Sequence, residues 1–279
     1  MSILPERVEL KTPEQIVVMR RSGELLHRVH DMLAEHIRPG ITTDELDTLA
    51  HDMIRDEGAT PNFLGYMGFP ATVCISVNEV VVHGIPGPLV LQEGDVVSVD
   101  GGCIVEGWHS DAARTNIVGE PRSVADQDLV RITEEALWVG IAALAGAHRV
   151  GEIGAAIEDF VAARAGDTLS HLEEFGGHGI GTAMHQAPDV MNFRTRSRGP
   201  KVRPGMCLAI EPMLIQGSGD WEMDEDEWTV RATGRGRAAH VEHSVAVTED
   251  GLLVLTAADG GAERLGRLGV TAAPDPLAR

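Results

Sequence analysis

The chain has 279 residues, of which 43% are hydrophobic, so it can form one large domain or two small ones with a sizeable core. Its formal net charge of −20 argues against a general nucleic-acid groove, which needs a basic face. No apolar run approaches the roughly 18 residues of a membrane-spanning helix. The first residues also lack the apolar core of a secretory signal.

The cysteines indicate the redox compartment. Cys74, Cys103 and Cys207 are odd in number and irregular in spacing, and none belongs to a CxxC motif. This pattern predicts free thiols in a reducing compartment rather than a disulfide framework. We therefore expect a cytoplasmic protein.

Two capped helices are predicted near the start of the chain. The segment Thr12–Gln15 has the residues of a capping box with proline at the first helical position, and the apolar stripe behind it runs towards Ile37. A second capping box at Thr42–Glu45 begins a helix that ends near Gly58. Residues 1–11 are expected to form an arm.

An aromatic loop follows these helices. Residues 61–70 are rich in glycine and proline but contain Phe63, Tyr66 and Phe69, in a chain with only 4% aromatic residues. The loop is either a lid packed on the core or the wall of an apolar pocket, and both can hold together. Short strands are predicted after it, leading into His83.

Two carboxylates mark the segment 91–118. Asp100 follows a valine-rich run and precedes two glycines, so we expect it at a strand end. Asp111 is expected to open the next strand, and antiparallel pairing would bring the two carboxylates together. Adjacent carboxylates repel, so one must hold a proton or both must face cations. The simpler alternative is that each aspartate only caps a turn.

Two more helices are predicted from apolar stripes at residues 123–146 and 151–165. The glycine-rich segment around His178 lacks the βαβ pattern of a dinucleotide-binding fingerprint. A further histidine, His185, follows seven residues later.

Three other segments have unusual composition. Cations crowd the segment Arg194–Arg203, which is either a solvated loop or a contact for an anionic partner. Residues 221–229 are expected to form an acidic loop that leads Trp228 into a strand. Residues 258–279 are expected to be a loosely attached C-terminal tail.

The order of these features repeats along the chain. Asp100 and Glu211 each end an apolar run six residues after a glycine, and Asp111 and Glu242 each open one. Each half also has a long helix, a shorter helix and a His-Gly-Ile segment. This predicts an internal duplication around a pseudo-two-fold axis. The two halves cover about residues 12–120 and 121–257.

The repeated positions form one candidate metal-binding set. Its members are Asp100, Asp111, His178, Glu211 and Glu242. Four converging carboxylates need about the positive charge of two divalent ions. Oxygen-rich ligands without thiolate suit Mn²⁺, Fe²⁺, Co²⁺ or Mg²⁺ better than a structural zinc ion. They do not exclude Zn²⁺. Two such ions can provide hydroxide at neutral pH and polarise a carbonyl group.

As a combination, these motifs resemble those of the type I methionine aminopeptidases, which are pita-bread metallopeptidases. The motifs are VNEVVVHGIP, SVDGG with HSDAART, GGHGIG with MH, AIEPM and VEH. The resemblance runs from about Thr12 to Leu255. It implies an α+β pita-bread fold, with two pseudo-symmetric halves of antiparallel sheet backed by helices, in a single catalytic domain over residues 12–257. No zinc-finger or PxxP extension precedes Thr12, so we expect the short bacterial form.

The resemblance also implies the metal ligands. Asp111 and Glu242 are expected to bridge two divalent ions, Co²⁺, Mn²⁺, Fe²⁺ or Zn²⁺. Asp100 is expected to bind one ion, and His178 with Glu211 the other.

The same resemblance implies the catalytic residues. His83 is expected near the substrate amine and the scissile amide, and His185 at the scissile carbonyl or tetrahedral intermediate. Glu211 is expected to transfer a proton from the nucleophilic water. The expected methionine pocket consists of Phe63, Tyr66, Phe69, Cys74, Met184 and Trp228. His83 and His185 are also expected to bind the substrate.

The expected activity is hydrolytic removal of the initiator methionine from nascent chains, with a small second residue preferred because the pocket rim is tight. One alternative is Xaa-Pro cleavage, although those enzymes carry a sizeable N-terminal domain and only 82 residues precede His83 here. The other alternative is a non-catalytic binding protein. Such a protein would be recognised by the loss of metal-ligand residues. The expected partners of this monomer are nascent N-termini and the ribosome, the latter through Arg194–Arg203.

Overall fold

The computed structural model describes residues 8–234 and 236–278, so most of the expected N-terminal arm lies outside it. The helices are α1 (Pro13–His36), α2 (Thr43–Asp56), α3 (Val124–Leu144), α4 (Gly151–Ala165) and α5 (Ala262–Arg267). The strands are β1 (Thr60–Pro61), β2 (Val73–Val77), β3 (Val80–Val82), β4 (Val96–Val105), β5 (Trp108–Ile117), β6 (Leu169–His171), β7 (Gly177–Gly179), β8 (Gln186–Val190), β9 (Cys207–Ile210), β10 (Met213–Gln216), β11 (Trp221–Met223), β12 (Val230–Ala232), β13 (Ala238–His240), β14 (Glu242–Thr248) and β15 (Gly251–Val254).

The helix starts follow from their capping residues. The Thr12 side chain accepts from the Gln15 backbone N–H, and the Gln15 side chain accepts from the Thr12 N–H at 2.8 Å. Thr42 and Glu45 make the equivalent pair at the start of α2. Both predicted capping boxes are confirmed. Each satisfies backbone donors that a helix start leaves free, which fixes where the chain turns into the helix.

A nine-stranded sheet joins the two halves of the chain. Its strands run in the order β1-β4-β5-β14-β9-β7-β8, with β2 also paired to β4 and β15 to β14. The central neighbours β5 and β14 come from different halves and pair antiparallel. Apolar side chains of α1 and α2 pack on β2, β4 and β5, and those of α3 and α4 pack on β9 and β14. The two halves therefore meet at the β5–β14 pair, and each contributes neighbouring strands on its own side of that pair, as the predicted duplication requires.

Two smaller sheets complete the fold. One contains β13, β10 and β6, and the other contains β11, β12 and β3. The segment 221–229 is therefore not entirely a loop, because β11 at its start pairs with β12. The acidic residues and Trp228 lie in the turn that connects these two antiparallel strands. Within the described parts of the chain, no helix has the length and apolar character needed to cross a membrane.

The expectation that Asp100 ends a strand and that Asp111 opens one is wrong. Asp100 lies inside β4, paired with Ala113, and Asp111 lies inside β5. The glycines after Asp100 mark close packing rather than a bend. A Cβ atom on Gly102 would lie 2.2 Å from the Asn62 side chain, so only glycine lets the strand continue there.

The C-terminal segment is also attached more firmly than expected. Residues 262–267 form α5, and Ala273 is buried in an apolar cluster with α1. The guanidinium of Arg20, a side chain only 1% exposed, donates to both carboxylate oxygens of Asp275. It also donates to the carbonyl oxygens of Leu255 and Ala258. The composition of residues 258–279 could not predict this attachment, because the partner Arg20 belongs to α1, far away in the sequence.

This ion pair generates a stability prediction. Asp275→Asn should lower the free energy of unfolding by about 3 kcal/mol, because it leaves the buried Arg20 cation without its counter-charge. Glu263→Gln in the same segment is the control. Its partner Arg267 is exposed, so a change below about 0.5 kcal/mol is expected. Chemical denaturation measures both, and equal effects of the two variants would contradict the role of Arg20.

Candidate active site

A cavity of about 270 Å³ lies against the central strands of the nine-stranded sheet. All of the site residues predicted from the sequence line it. They are Phe63, Tyr66, Phe69, Cys74, His83, Asp100, Asp111, His178, Met184, His185, Glu211, Trp228 and Glu242. Sequence reasoning did not single out four further lining residues, Met67, Phe175, Gly176 and Met213.

Four carboxylates enter the cavity from the two halves of the sheet. Asp100 and Asp111 come from β4 and β5, Glu211 follows β9 directly, and Glu242 begins β14. These four strands are consecutive neighbours, so sheet pairing alone brings the carboxylates to one place. Asp111 and Glu242 belong to the two innermost strands and are almost fully buried, at 3% and 2% exposure.

Three of these carboxylates have an oxygen that no group in the described chain satisfies. Oδ1 of Asp100, Oδ1 of Asp111 and Oε1 of Glu242 are buried without a hydrogen-bond partner. A buried carboxylate oxygen left unpaired is costly, and a bound cation removes that cost. Ligand atoms of Asp111, Glu242 and His178 lie within 4.8 Å of one another. These residues therefore fit a divalent metal ion.

His178 has the environment of a metal-binding imidazole. Its Nδ1 lies 3.0 Å from the carbonyl oxygen of Gly179, which fixes the ring and leaves Nε2 facing the cavity. Nε2 lies 3.6 Å from Oε1 of Glu211. The nearby thiol of Cys74 is not a comparable ligand, because burial and the charge of Asp100 raise its pKa well above the usual value.

The carboxylates perturb one another electrostatically. Burial raises the pKa of Asp100 to about 7. Burial, reinforced by the neighbouring carboxylates, also raises the pKa values of Asp111 and Glu242 well above their usual range. Without a cation, the protein must keep protons on this cluster at neutral pH, and divalent ions can replace those protons.

Glu211 differs because it lies between two imidazoles. Burial alone would raise its pKa, but His240 and His178 more than offset this effect and hold the pKa below its usual value. Nε2 of the buried His240 lies 3.4 Å from Oε2 of Glu211. Sequence analysis missed His240, which has no counterpart in the repeated pattern. The one sequence feature that could have indicated His240 is its position two residues before Glu242.

His83 lines the same cavity as the carboxylates. It follows β3 with a backbone φ of 59°, a left-handed conformation that is uncommon for residues other than glycine. Its ring packs against Phe175 and Trp228, with centroid distances of 5.4 and 6.3 Å. Burial lowers the pKa of His83 to about 4, so the ring is neutral at physiological pH.

His185 lies at the mouth of the cavity. Its Nδ1 is 2.9 Å from the hydroxyl of Tyr66, and its ring centroid is 4.3 Å from that of His178. Although the residue is partly accessible, desolvation and the neighbouring His178 lower its pKa to about 4. Both histidines predicted to contact substrate are therefore neutral hydrogen-bonding groups rather than cations.

The aromatic loop both packs on the core and lines the cavity. Phe63, Phe69, Cys74 and Met184 form a buried cluster, with Tyr66 and Trp228 packed against it. The Phe69 ring meets the Trp228 ring edge-on, with a centroid distance of 5.1 Å. The two interpretations of the loop are thus compatible.

Comparison with known proteins places this geometry among metallopeptidases. A family model described as "Metallopeptidase family M24" matches residues 17–249. The methionine aminopeptidase of Clostridium perfringens is 44% identical over 247 residues, covering 88% of this chain and 98% of the relative. The crystal structure of methionine aminopeptidase from Rickettsia prowazekii superposes with a TM-score of 0.86 at 32% identity, covering 90% of this chain and 100% of that one.

A more distant neighbour shares the fold alone. The prolidase of Pyrococcus furiosus has a TM-score of 0.71 at 21% identity, and the match covers 89% of this chain but 65% of the prolidase. The predicted pita-bread fold is confirmed by these structural neighbours.

The raised carboxyl pKa values predict how metal-free protein responds to pH. In the folded state the pKa of Asp100 is about 7, whereas an unfolded aspartate titrates near pH 4. The folded state therefore binds the proton more tightly, and this stabilisation is lost as the pH rises through about 7. In chelator, the thermal midpoint should fall by at least about 3 °C between about pH 5.5 and about pH 8.

Asp100→Asn should make this fall smaller, because the amide cannot titrate whereas Asp111 and Glu242 still can. Saturating divalent metal should also remove the fall. A midpoint of the metal-free protein that is constant or rises over the same range would contradict the electrostatic account.

Proposed function

Because the chain belongs to the metallopeptidase family M24, we propose that it removes the N-terminal methionine from nascent proteins. The observation that carries this proposal is the joint location of the buried carboxylate cluster and an apolar pocket in one cavity. The methionine aminopeptidases of Clostridium perfringens and Rickettsia prowazekii are matched over 98% and 100% of their length, whereas the match covers only 65% of the prolidase.

We propose that Asp100, Asp111, His178, Glu211 and Glu242 hold two divalent ions, Mn²⁺, Fe²⁺, Co²⁺ or Zn²⁺. When bound, such ions supply Lewis acidity and a hydroxide nucleophile at neutral pH. The central location of Asp111 and Glu242 on adjacent strands supports their role as shared ligands.

The protein's own side chains select the substrate. Phe63, Phe69, Cys74 and Met184 offer a buried apolar surface suited to an unbranched thioether side chain. Tyr66 and His185, joined by a hydrogen bond at the mouth, narrow the space beyond the scissile bond. This rim favours a small second residue, since a bulky side chain would displace it.

The neutral imidazoles orient the scissile amide. When the Tyr66 hydroxyl donates to Nδ1 of His185, the neutral ring carries its proton on Nε2, which can then donate to the scissile carbonyl oxygen. His83, held in the cavity by Phe175 and Trp228, can bond the substrate amine. Glu211 is ionised and can accept a proton at Oε1 and transfer it to the leaving amine.

Peptide cleavage tests the proposed reaction. Metal-loaded protein should release methionine from Met-Ala-Ser at least about 100-fold faster than from Met-Lys-Ser, because the lysine side chain meets the rim. Ala-Pro-Ser should stay intact. Mass spectrometry with chelator controls gives all three results. Preferred cleavage of Ala-Pro-Ser would assign the chain to Xaa-Pro hydrolysis, and no cleavage with metal bound would favour a binding protein.

Replacement of one central carboxylate tests the ligand set. Asp111→Ala should lower turnover by at least about 10³-fold, the size expected when metal-supplied transition-state stabilisation is lost. Metal content by elemental analysis should fall in parallel. The exposed Asp52→Ala is the control and should change neither quantity. Normal activity of Asp111→Ala with full metal content would refute the assignment.

We also propose that the basic segment Arg194–Arg203 contacts the ribosome. Two of its arginines are already paired with acids of α4, Arg194 with Asp159 and Arg198 with Glu152. Among the described residues, ion pairs are not found for the remaining cations, Arg196, Lys201 and Arg203. These three carry the charge that is free to face RNA phosphates.

Charge-changing variants test whether the unpaired cations, rather than the paired arginines, contact the ribosome. A variant with glutamate at positions 196, 201 and 203 should lose co-sedimentation with ribosomes at low salt. A control with glutamine at positions 194 and 198 should lose much less, since those side chains are engaged within the protein. Unchanged binding of the triple variant would exclude this segment as the contact.

We further propose that the protein acts as a monomer in the cytoplasm. All of the predicted site residues meet in one cavity of this chain, which supports activity as a monomer. The three cysteines are free and buried, as expected in a reducing compartment.

A further inference from the structure

The connection between β7 and β8 carries two residues of the cavity, Met184 and His185. Its tip residues Thr182 and Ala183 are exposed. The backbone N–H of Gly181 donates to the carbonyl oxygen of Ala183 at 3.1 Å, which forms a tight turn. The ring of His185 therefore depends on whatever fixes the segment after this turn.

A carboxylate that precedes α1 holds both ends of that segment. Oε2 of Glu9 accepts from Oγ1 of Thr182 at 2.7 Å and from Nε2 of Gln186 at 2.9 Å. Nε2 of Gln186 is also 3.1 Å from Oγ1 of Thr182. One charged oxygen thus joins the residues that flank Ala183, Met184 and His185. Hydrogen bonds to a charged acceptor are the stronger class.

Lys11 supplies the opposite charge from the same N-terminal segment. Its side chain is 1% exposed, and Nζ lies 3.7 Å from Oε1 of Glu9. Nζ also donates to Oε1 of Gln186 at 3.1 Å. The approach requires glycine at position 181, where a Cβ atom would lie 2.3 Å from Cε of Lys11. The Lys11 backbone is itself fixed by its N–H, which donates to the Gly205 carbonyl at 2.7 Å.

We propose that Glu9 and Lys11 are positioning residues for the reaction, which hold the β7–β8 connection so that His185 faces the scissile carbonyl. Neither side chain lines the cavity, so both act through Thr182 and Gln186. The inference rests on the proposed function, in which His185 contacts the substrate. It gives the segment before α1 a part in catalysis that its sequence does not suggest.

The test compares Glu9→Ala with wild-type holoenzyme. Loss of both hydrogen bonds should lower kcat roughly 10-fold, because a displaced catalytic group is costly even for shifts near 1 Å. KM and metal content should stay close to wild type, since the apolar pocket and the metal ligands lie elsewhere. Glu9→Gln keeps one acceptor oxygen and should recover most of the lost rate.

Hydrogen exchange provides a readout that does not depend on turnover. In Glu9→Ala, peptides covering residues 181–186 should exchange at least about tenfold faster, while peptides of β4 and β5 stay unchanged. Glu14→Ala is the matched control, because Glu14 is exposed in the first turn of α1 and makes no contact with this segment. It should leave rate and exchange at wild-type values.

Two results would overturn the proposal. One is unchanged kcat and unchanged exchange of residues 181–186 in Glu9→Ala. The other is loss of protection throughout the chain, which would make Glu9 a general support of the fold. If wild-type protein fails to release methionine, the proposed function fails instead, and the exchange experiment still decides whether Glu9 holds this segment.

Discussion

The repulsion among four carboxylates at the centre of the sheet is the constraint on which the site depends. Asp111 and Glu242 are nearly fully buried, and each has an oxygen without a hydrogen-bond partner in the described structure. Such a cluster is unfavourable unless protons or cations neutralise it. The fold gives up stability here in order to assemble a cation site, and bound metal returns that stability because it favours the folded state.

The duplicated sheet explains how so much negative charge is brought to one place. Each half contributes two adjacent strands, and the halves meet where β5 pairs with β14. Helices α1 and α2 cover one half and α3 and α4 cover the other. Asp100, Asp111 and Glu242 lie in strands of this supported sheet, and Glu211 directly follows one. Apart from Cys74 in β2, the predicted pocket residues lie outside the strands of the sheet, where pocket shape can vary without disturbing the metal ligands.

Much of this could be predicted from the sequence because the pattern occurs twice. Repetition of the carboxylate positions identified Asp111 and Glu242, and the capping boxes set the first two helix starts. The position of Asp100 inside its strand could not be predicted from the sequence. Gly102 resembles a turn signal, but it is needed there because the Asn62 side chain packs against it. Local patterns do not report such tertiary contacts.

Other features depend on contacts between residues far apart in the sequence. The C-terminal segment lacks a strong apolar pattern, yet Asp275 neutralises the buried Arg20. His240 meets Glu211 only because β13 and β10 are paired. Glu9 bonds to Thr182 in the β7–β8 connection, although the two residues are 173 positions apart in the sequence. In each case the informative signal is a buried charge that needs a partner, which a periodicity analysis does not record.

The most direct test of the account is anomalous diffraction from crystals equilibrated with Mn²⁺. If the cluster holds divalent cations, strong anomalous density is expected inside the cavity, in contact with the oxygens of Asp111 and Glu242 that have no partner among the described residues. Absence of density there at saturating Mn²⁺, with those carboxylates hydrogen-bonded to one another or to water, would contradict the claim that this cluster is built to hold divalent cations.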